Sequence, residues 1–242
     1  MTETTRRRSW MIVPAHKPDE VMRYADFNPD VAVLDLEYTV PPKSKDTARS
    51  GLKQLMKSLG ESHGDVFVRI DRDARWADAA AAVQRGVKGI VFPGAEEPDE
   101  VRELAGLVAE KEREHAVEPG SIELALILES AKGFWNADAL AMASARVTTL
   151  GVGRIDLTMQ LGPVPQGEFR LYRFLMTRAL VAARMLGKQP LGAFWRPGSR
   201  GGVAPREATL KAAQEGSVMG FSGCLCATPE QVAAVNEGFS VA

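Results

Sequence analysis

The sequence predicts an α/β protein, a single-domain (β/α)8 TIM barrel, and three observations carry that prediction. Eight short apolar runs rich in Val, Ile and Leu recur along the chain, as strands buried on both faces do. Longer amphipathic segments alternate with them, with apolar residues at spacings of three and four. The length, 242 residues, suits one such barrel. An open doubly wound sheet is the structural alternative.

The first apolar run is Trp10–Pro14, and the Arg6, Arg7 and Arg8 that precede it read as a solvated lead-in. Val31–Leu36 is the second. The Lys45–Leu59 segment then sets Ala48, Leu52, Leu55, Met56 and Leu59 on one helical face. Val66–Ile70 and Gly89–Phe92 are the third and fourth runs. Pro98–Glu114 repeats the helical spacing through Val101, Leu104, Ala105 and Val108, with Pro98 suited to a first turn. Leu124–Leu128 and Thr148–Val152 follow. Phe169–Met185 is a long helix, on which Met176 and Met185 are assigned to packing. Leu191–Phe194 and Gly220–Leu225 complete the strands, and Pro205–Glu215 and Pro229–Glu237 the helices. Cys224 and Cys226 read as reduced thiols on opposite faces of the last strand, forming neither a disulfide nor a zinc site.

Composition narrows the function classes. Thirty Lys and Arg against 31 Asp and Glu give a net charge of -1, so there is no global basic field for nucleic acid or an anionic membrane. No apolar run is long enough to span a bilayer, and the N-terminus lacks the apolar core of a signal peptide. A cytoplasmic protein acting on small molecules is the expectation.

A barrel carries its chemistry at the C-terminal ends of its strands. There the sequence places Asp35 and Glu37 after the second run, Arg69 and Asp71 with the third, Pro93 and Gly94 after the fourth, Glu129 after the fifth, and Gly153, Arg154 and Asp156 after the sixth. Converging carboxylates repel one another, and a divalent cation relieves that repulsion. Glu129 and Asp156 offer oxygen with no His or Cys nearby, which favours Mg2+, or Mn2+, over zinc. Arg69 adds a fixed fork for a carboxylate or a developing enolate. Each also has a plainer role. Asp35 or Glu37 suits a helix cap or a lysine pair, Arg69 a structural ion pair, and Glu129 and Asp156 helix caps beside Ser130 and Thr158.

Several stretches together resemble the citrate lyase beta-subunit-like proteins, within the superfamily of HpcH/HpaI aldolases and malyl-CoA lyases. They are Arg8–Pro14, Val33–Glu37, Val68–Ile70, Leu126–Ala131, Gly151–Leu157 with Leu161 and Gly162, and Gly220–Cys226 followed by Pro229, Gln231 and Val232. The resemblance implies Mg2+ on Glu129 and Asp156, and Arg69 on the substrate carboxylate or carbonyl oxygen. It also implies a homo-oligomer, a trimer or hexamer, with a neighbour's C-terminal segment over the site. The chain departs from the family pattern at several points. Tyr38 stands where an acidic residue is usual, Gly94 replaces the Lys of a Pro-Lys pair, and Ala15–Pro18 replaces Gly-Asp-Arg-Pro. Ala227–Pro229 replaces Ile-His-Pro, and Ile155 replaces an acidic residue. These changes weigh against a CoA thioester substrate.

The expected reaction is cleavage or formation of a β-hydroxy acid or acyl thioester through an enolate, giving an oxo acid. Glu37 is the candidate base, ahead of Asp35 and His16. Tyr38, Pro93, Gly153 and Arg154 line the substrate. The alternatives are an aldolase on a free 4-hydroxy-2-oxo acid and a non-catalytic metabolite-binding protein. A third is a phosphate-binding enzyme using the Gly198–Gly202 loop, for which a surface loop is the plainer reading. Trp195 reads as a rim residue, and His63 and His115 as exposed.

Overall fold

The computed structural model describes residues 7–59, 64–153, 170–193 and 204–240. Eight parallel strands run in the order β7-β6-β5-β4-β3-β2-β1-β8. They are β1 Ser9–Pro14, β2 Val31–Asp35, β3 Asp65–Arg69, β4 Gly89–Pro93, β5 Glu123–Leu128, β6 Val147–Val152, β7 Gln189–Leu191 and β8 Cys224–Cys226. A parallel bridge between Leu191 and Gly223 brings the two ends together, and Gly192 N–H donates to Gly223 O at 2.8 Å. The sheet is therefore a nearly closed (β/α)8 barrel, as expected, and not an open doubly wound sheet.

Nine α-helices accompany the strands among the described residues: α1 Pro18–Met22, α2 Lys45–Leu59, α3 Arg75–Ala82, α4 Pro98–Glu114, α5 Ala131–Trp135, α6 Ala137–Met142, α7 Arg170–Met185, α8 Arg206–Met219 and α9 Glu230–Gly238. The periodic residues behave as their spacing dictates: Ala48, Leu52, Leu55 and Met56 of α2 are buried, as are Val101, Leu104 and Val108 of α4. Pro98 opens α4 behind a Glu97–Glu100 capping box.

Alternation along each strand divides the core into two parts. Trp10, Val31, Val33, Phe67, Val91, Ala125, Ile127 and Leu191 fill the barrel interior. The intervening residues, among them Met11, Leu34, Val68, Ile90 and Leu126, pack outward under the helices. Fully burying each such side chain stabilises the fold by about 1.5–3 kcal/mol.

Several expectations need correction. Arg7 is not a solvated lead-in. Its Nε donates to Asp65 at 2.6 Å and its Nη1 to Glu123 at 2.6 Å, while its guanidinium lies 5.1 Å from the Phe67 ring. Burial works against its charge, but Glu123 and Asp65 outweigh it and raise the pKa. Arg8 pairs with Asp30 at 2.8 Å. Cys224 and Cys226 are both buried in the same outer shell, because residues two apart on a strand share a face. They are free thiols, and Cys224, together with burial, pushes the Cys226 thiol well up. Met176 is buried, but Met185 is 62% exposed. Strand β7 begins two residues before its expected start. The first part of the run assigned to β8 is a turn, where Gly220 closes α8 at φ 106°.

Candidate functional site

The interior-facing side of the strands continues past Val33, Phe67, Val91 and Ile127 to Asp35, Arg69, Pro93 and Glu129. The strand ends thus collect one acid, one base and a second acid at the mouth. Asp35 and Arg69 are direct partners in the β2–β3 register. The ladder runs on into the loops, with Leu36 N–H donating to Arg69 O at 2.9 Å and Gly153 N–H to Leu128 O at 2.8 Å.

Asp35 is fully buried and accepts from five donors. Arg69 Nε and Nη2 each reach it at 2.7 Å. Glu37 N–H lies at 2.9 Å, Thr39 N–H at 2.7 Å and the Thr39 hydroxyl at 2.6 Å. The carboxylate thereby shapes the turn after β2 and fixes Arg69 in a bidentate fork. Burial pushes its pKa up, but the Arg69 and Thr39 bonds outweigh burial and hold it below the ordinary value. Arg69 is itself buried, which disfavours its charge. Asp35 foremost, then Glu37 and Glu129, overcome that and raise the guanidinium pKa. Glu37 Oε2 lies 3.4 Å from Arg69 Nε.

Glu129 follows β5, and its carboxylate is pressed against the chain leaving β6. A Cβ added at Gly153 would lie 2.7 Å from Glu129 Oε1. Only glycine lets that backbone approach so closely. The cap of α5 is Ser130, whose Oγ accepts from Gly133 N–H at 3.0 Å, so Glu129 does not fill the capping role weighed above.

The structure thus brings Asp35, Glu37, Arg69, Glu129 and Gly153 together, with Pro93 buried on the same side. Tyr38, next to Glu37 in the chain, is 83% exposed. His16 lies in the loop after β1, and its Nδ1 is buried with no hydrogen-bond partner. Arg154, Asp156, Thr158, His63, Trp195 and Gly198–Gly202 lie outside the described residues. Among the described residues, no three His, Cys, Asp or Glu side chains form a metal-holding group.

Sequence reasoning missed Arg72. It sits between β3 and α3, and its Nη1 donates to Gly94 O in the next loop. A Cβ added at Gly94 would lie 2.8 Å from Arg72 Nη1 and 3.4 Å from Glu129 Oε2. The available signal was a second arginine three residues after Arg69, within the loop at the end of a barrel strand.

Comparison with known proteins bears on the family and the fold. The family model described as HpcH/HpaI aldolase/citrate lyase matches residues 8–229. The chain is 27% identical to citrate lyase subunit beta of Leuconostoc mesenteroides subsp. cremoris, over 97% of this chain and 77% of that protein. The citrate lyase beta subunit from M. tuberculosis, solved with oxaloacetate and magnesium, superposes with a TM-score of 0.73 at 24% identity, covering 96% of each chain. Haloferax volcanii malate synthase superposes with a TM-score of 0.81 at 20% identity, covering 96% of this chain and 74% of that one. Relatives matched by sequence are named as carbon–carbon lyases. With nearly its whole length matched, the chain belongs to the HpcH/HpaI aldolase/citrate lyase family.

Proposed function

We propose that this chain is a Mg2+-dependent carbon–carbon lyase or aldolase that cleaves or forms a β-hydroxy acid or acyl thioester and gives an oxo acid such as pyruvate, glyoxylate or oxaloacetate. The observation that carries this reading is the Asp35–Arg69 fork beside Glu129 at the barrel mouth. The donors fit the ion. Glu129 is a hard oxygen ligand, and Asp156 follows Gly153, whose backbone adjoins the Glu129 carboxylate, by three residues. Mn2+ is an alternative ion of the same donor preference. Such an ion supplies positive charge beside the oxygens of an oxo acid.

The remaining steps fall to the chain itself. Asp35 takes Arg69 Nε and Nη2 and leaves Nη1 outside the pair. The guanidinium receives the oxygen on which charge builds, and because Asp35 fixes it beforehand, little reorganisation accompanies that change. In the cleavage direction a base removes the hydroxyl proton, and the carbon bearing that oxygen becomes the carbonyl carbon of the oxo acid. The carbon–carbon bond breaks, and its electron pair enters the enolate of the departing fragment. Glu37, one-quarter exposed and beside Arg69, is the base we assign. Asp35, with its oxygens already engaged, is a positioning residue. Arg154 is assigned to the substrate with Gly153 and Pro93. The reading includes a cytoplasmic homo-oligomer, trimer or hexamer, of single-barrel subunits spanning 1–242, with a neighbour's C-terminal segment over the site.

The test is release of an oxo acid from malyl-CoA, citramalyl-CoA and 4-hydroxy-2-oxo acids, with and without EDTA. Loss of turnover in EDTA and in both Glu129→Ala and Asp156→Ala is expected. Full activity of both variants in metal-chelated buffer would overturn the assignment. Gly94 favours a second reading, an aldolase on free 4-hydroxy-2-oxo acids without CoA, because it offers no side chain to a thioester carrier. Turnover of the free acids alone would select it.

A further inference from the structure

We infer that Arg72 is a specificity-determining residue that receives a second anionic group of the substrate, a carboxylate at the end away from the reacting carbon. The inference rests on the lyase reading above. At position 94 the backbone adopts φ 63°, and the room a side chain there would need is taken by the Arg72 guanidinium. The Arg72 Nη1 and Glu129 Oε2 atoms both come within 3.4 Å of that one point, so the cation stands beside the assigned metal ligand.

Its own partners fix the guanidinium without using up its charge. Nη1 donates to the neutral carbonyl of Gly94, which fixes the side chain across two loops. Among the described residues, Nη2 has loose ionic partners, Glu100 at 3.5 Å and Glu96 at 3.8 Å. Glu100 is also committed elsewhere. Its Oε2 accepts from Glu96 N–H at 3.0 Å and Glu97 N–H at 3.1 Å as part of the α4 cap, and its Oε1 is shared with Arg75 at 3.9 Å. The Arg72 side chain remains 37% exposed. Asp35 holds Arg69 by two bonds at 2.7 Å, whereas among the described residues the carboxylates paired with Arg72 lie at 3.5 and 3.8 Å. Two guanidinium groups near Glu129 suit a ligand with a reacting oxygen at one end and a carboxylate at the other.

The competing role is a structural latch between the β3–α3 and β4–α4 loops. Calorimetric titration of the full-length protein in Mg2+ separates the two, using pyruvate and oxaloacetate, which differ by one carboxylate. The wild-type protein is expected to bind oxaloacetate at least about tenfold more tightly than pyruvate. Arg72→Ala should remove that preference while changing pyruvate affinity by less than about threefold, and Arg72→Lys should restore part of it. Retention of the preference in Arg72→Ala would overturn the inference, as would equal weakening of both acids. A wild-type protein that binds neither acid in Mg2+ would overturn the lyase reading itself.

Discussion

Asp35→Ala is the most informative single change. The side chain is fully buried, and its loss strands the buried Arg69 guanidinium together with the backbone N–H groups of Glu37 and Thr39 and the Thr39 hydroxyl. Breaking a buried pair by removing one partner costs about 3–5 kcal/mol. For a chain of this size each kcal/mol moves Tm by roughly 2–4 °C, so a fall on the order of 6–20 °C is expected. The pH dependence has a definite sign. The folded pKa of Asp35 is depressed, so the pair's contribution is fully present above the unfolded value of about 3.9 and is lost as pH falls through the lower folded value. The assay is urea unfolding of the wild type, Asp35→Ala, Arg69→Met and the double variant at neutral pH and near pH 3. Arg69→Met should relieve much of the penalty of Asp35→Ala, giving strong non-additivity. At the acid end the gap between wild type and Asp35→Ala should narrow. Additive effects, or a loss below about 1 kcal/mol for Asp35→Ala, would refute a bound and buried ion pair at this position.

Two further outcomes are expected. Gly153→Ala places a methyl against the Glu129 carboxylate and should lower oxo-acid release about a hundredfold with near-wild-type circular dichroism, whereas wild-type turnover would contradict the close approach. Glu112 is buried, bonded to Arg146 at 2.7 and 2.6 Å, and accepts from Gly120 and Ile122 N–H groups at 2.8 and 3.0 Å. Glu112→Ala should therefore lower stability by about 3–5 kcal/mol without changing the mouth, and an unaltered denaturation midpoint would contradict that role.

The barrel was legible because strands buried on both faces must be apolar, and that requirement leaves compact runs in the sequence. The same logic located Arg69 and Glu129, since a charge ending an apolar run needs a reason to be there. Helix α3 was not legible: its RWADAAAA segment is only eight residues long and five of them are alanine, so no large aliphatic side chains mark its buried face. The engagement of Asp35 depends on the β2–β3 register, which sets it opposite Arg69 and which no local pattern specifies. Arg72 was missed because its significance arises in the neighbouring loop, at Gly94. Arg7 looked like part of a terminal charge run because its partners, Asp65 and Glu123, lie on two distant strands.

Arg7 has a consequence at the far end of the barrel. Its guanidinium sits where β3 and β5 begin, tied to Asp65 and Glu123 and lying over the Phe67 ring, which is tilted against Trp10. One side chain ahead of β1 thus fastens the starts of β3 and β5, two strands that are not neighbours in the sheet, at the end opposite the mouth.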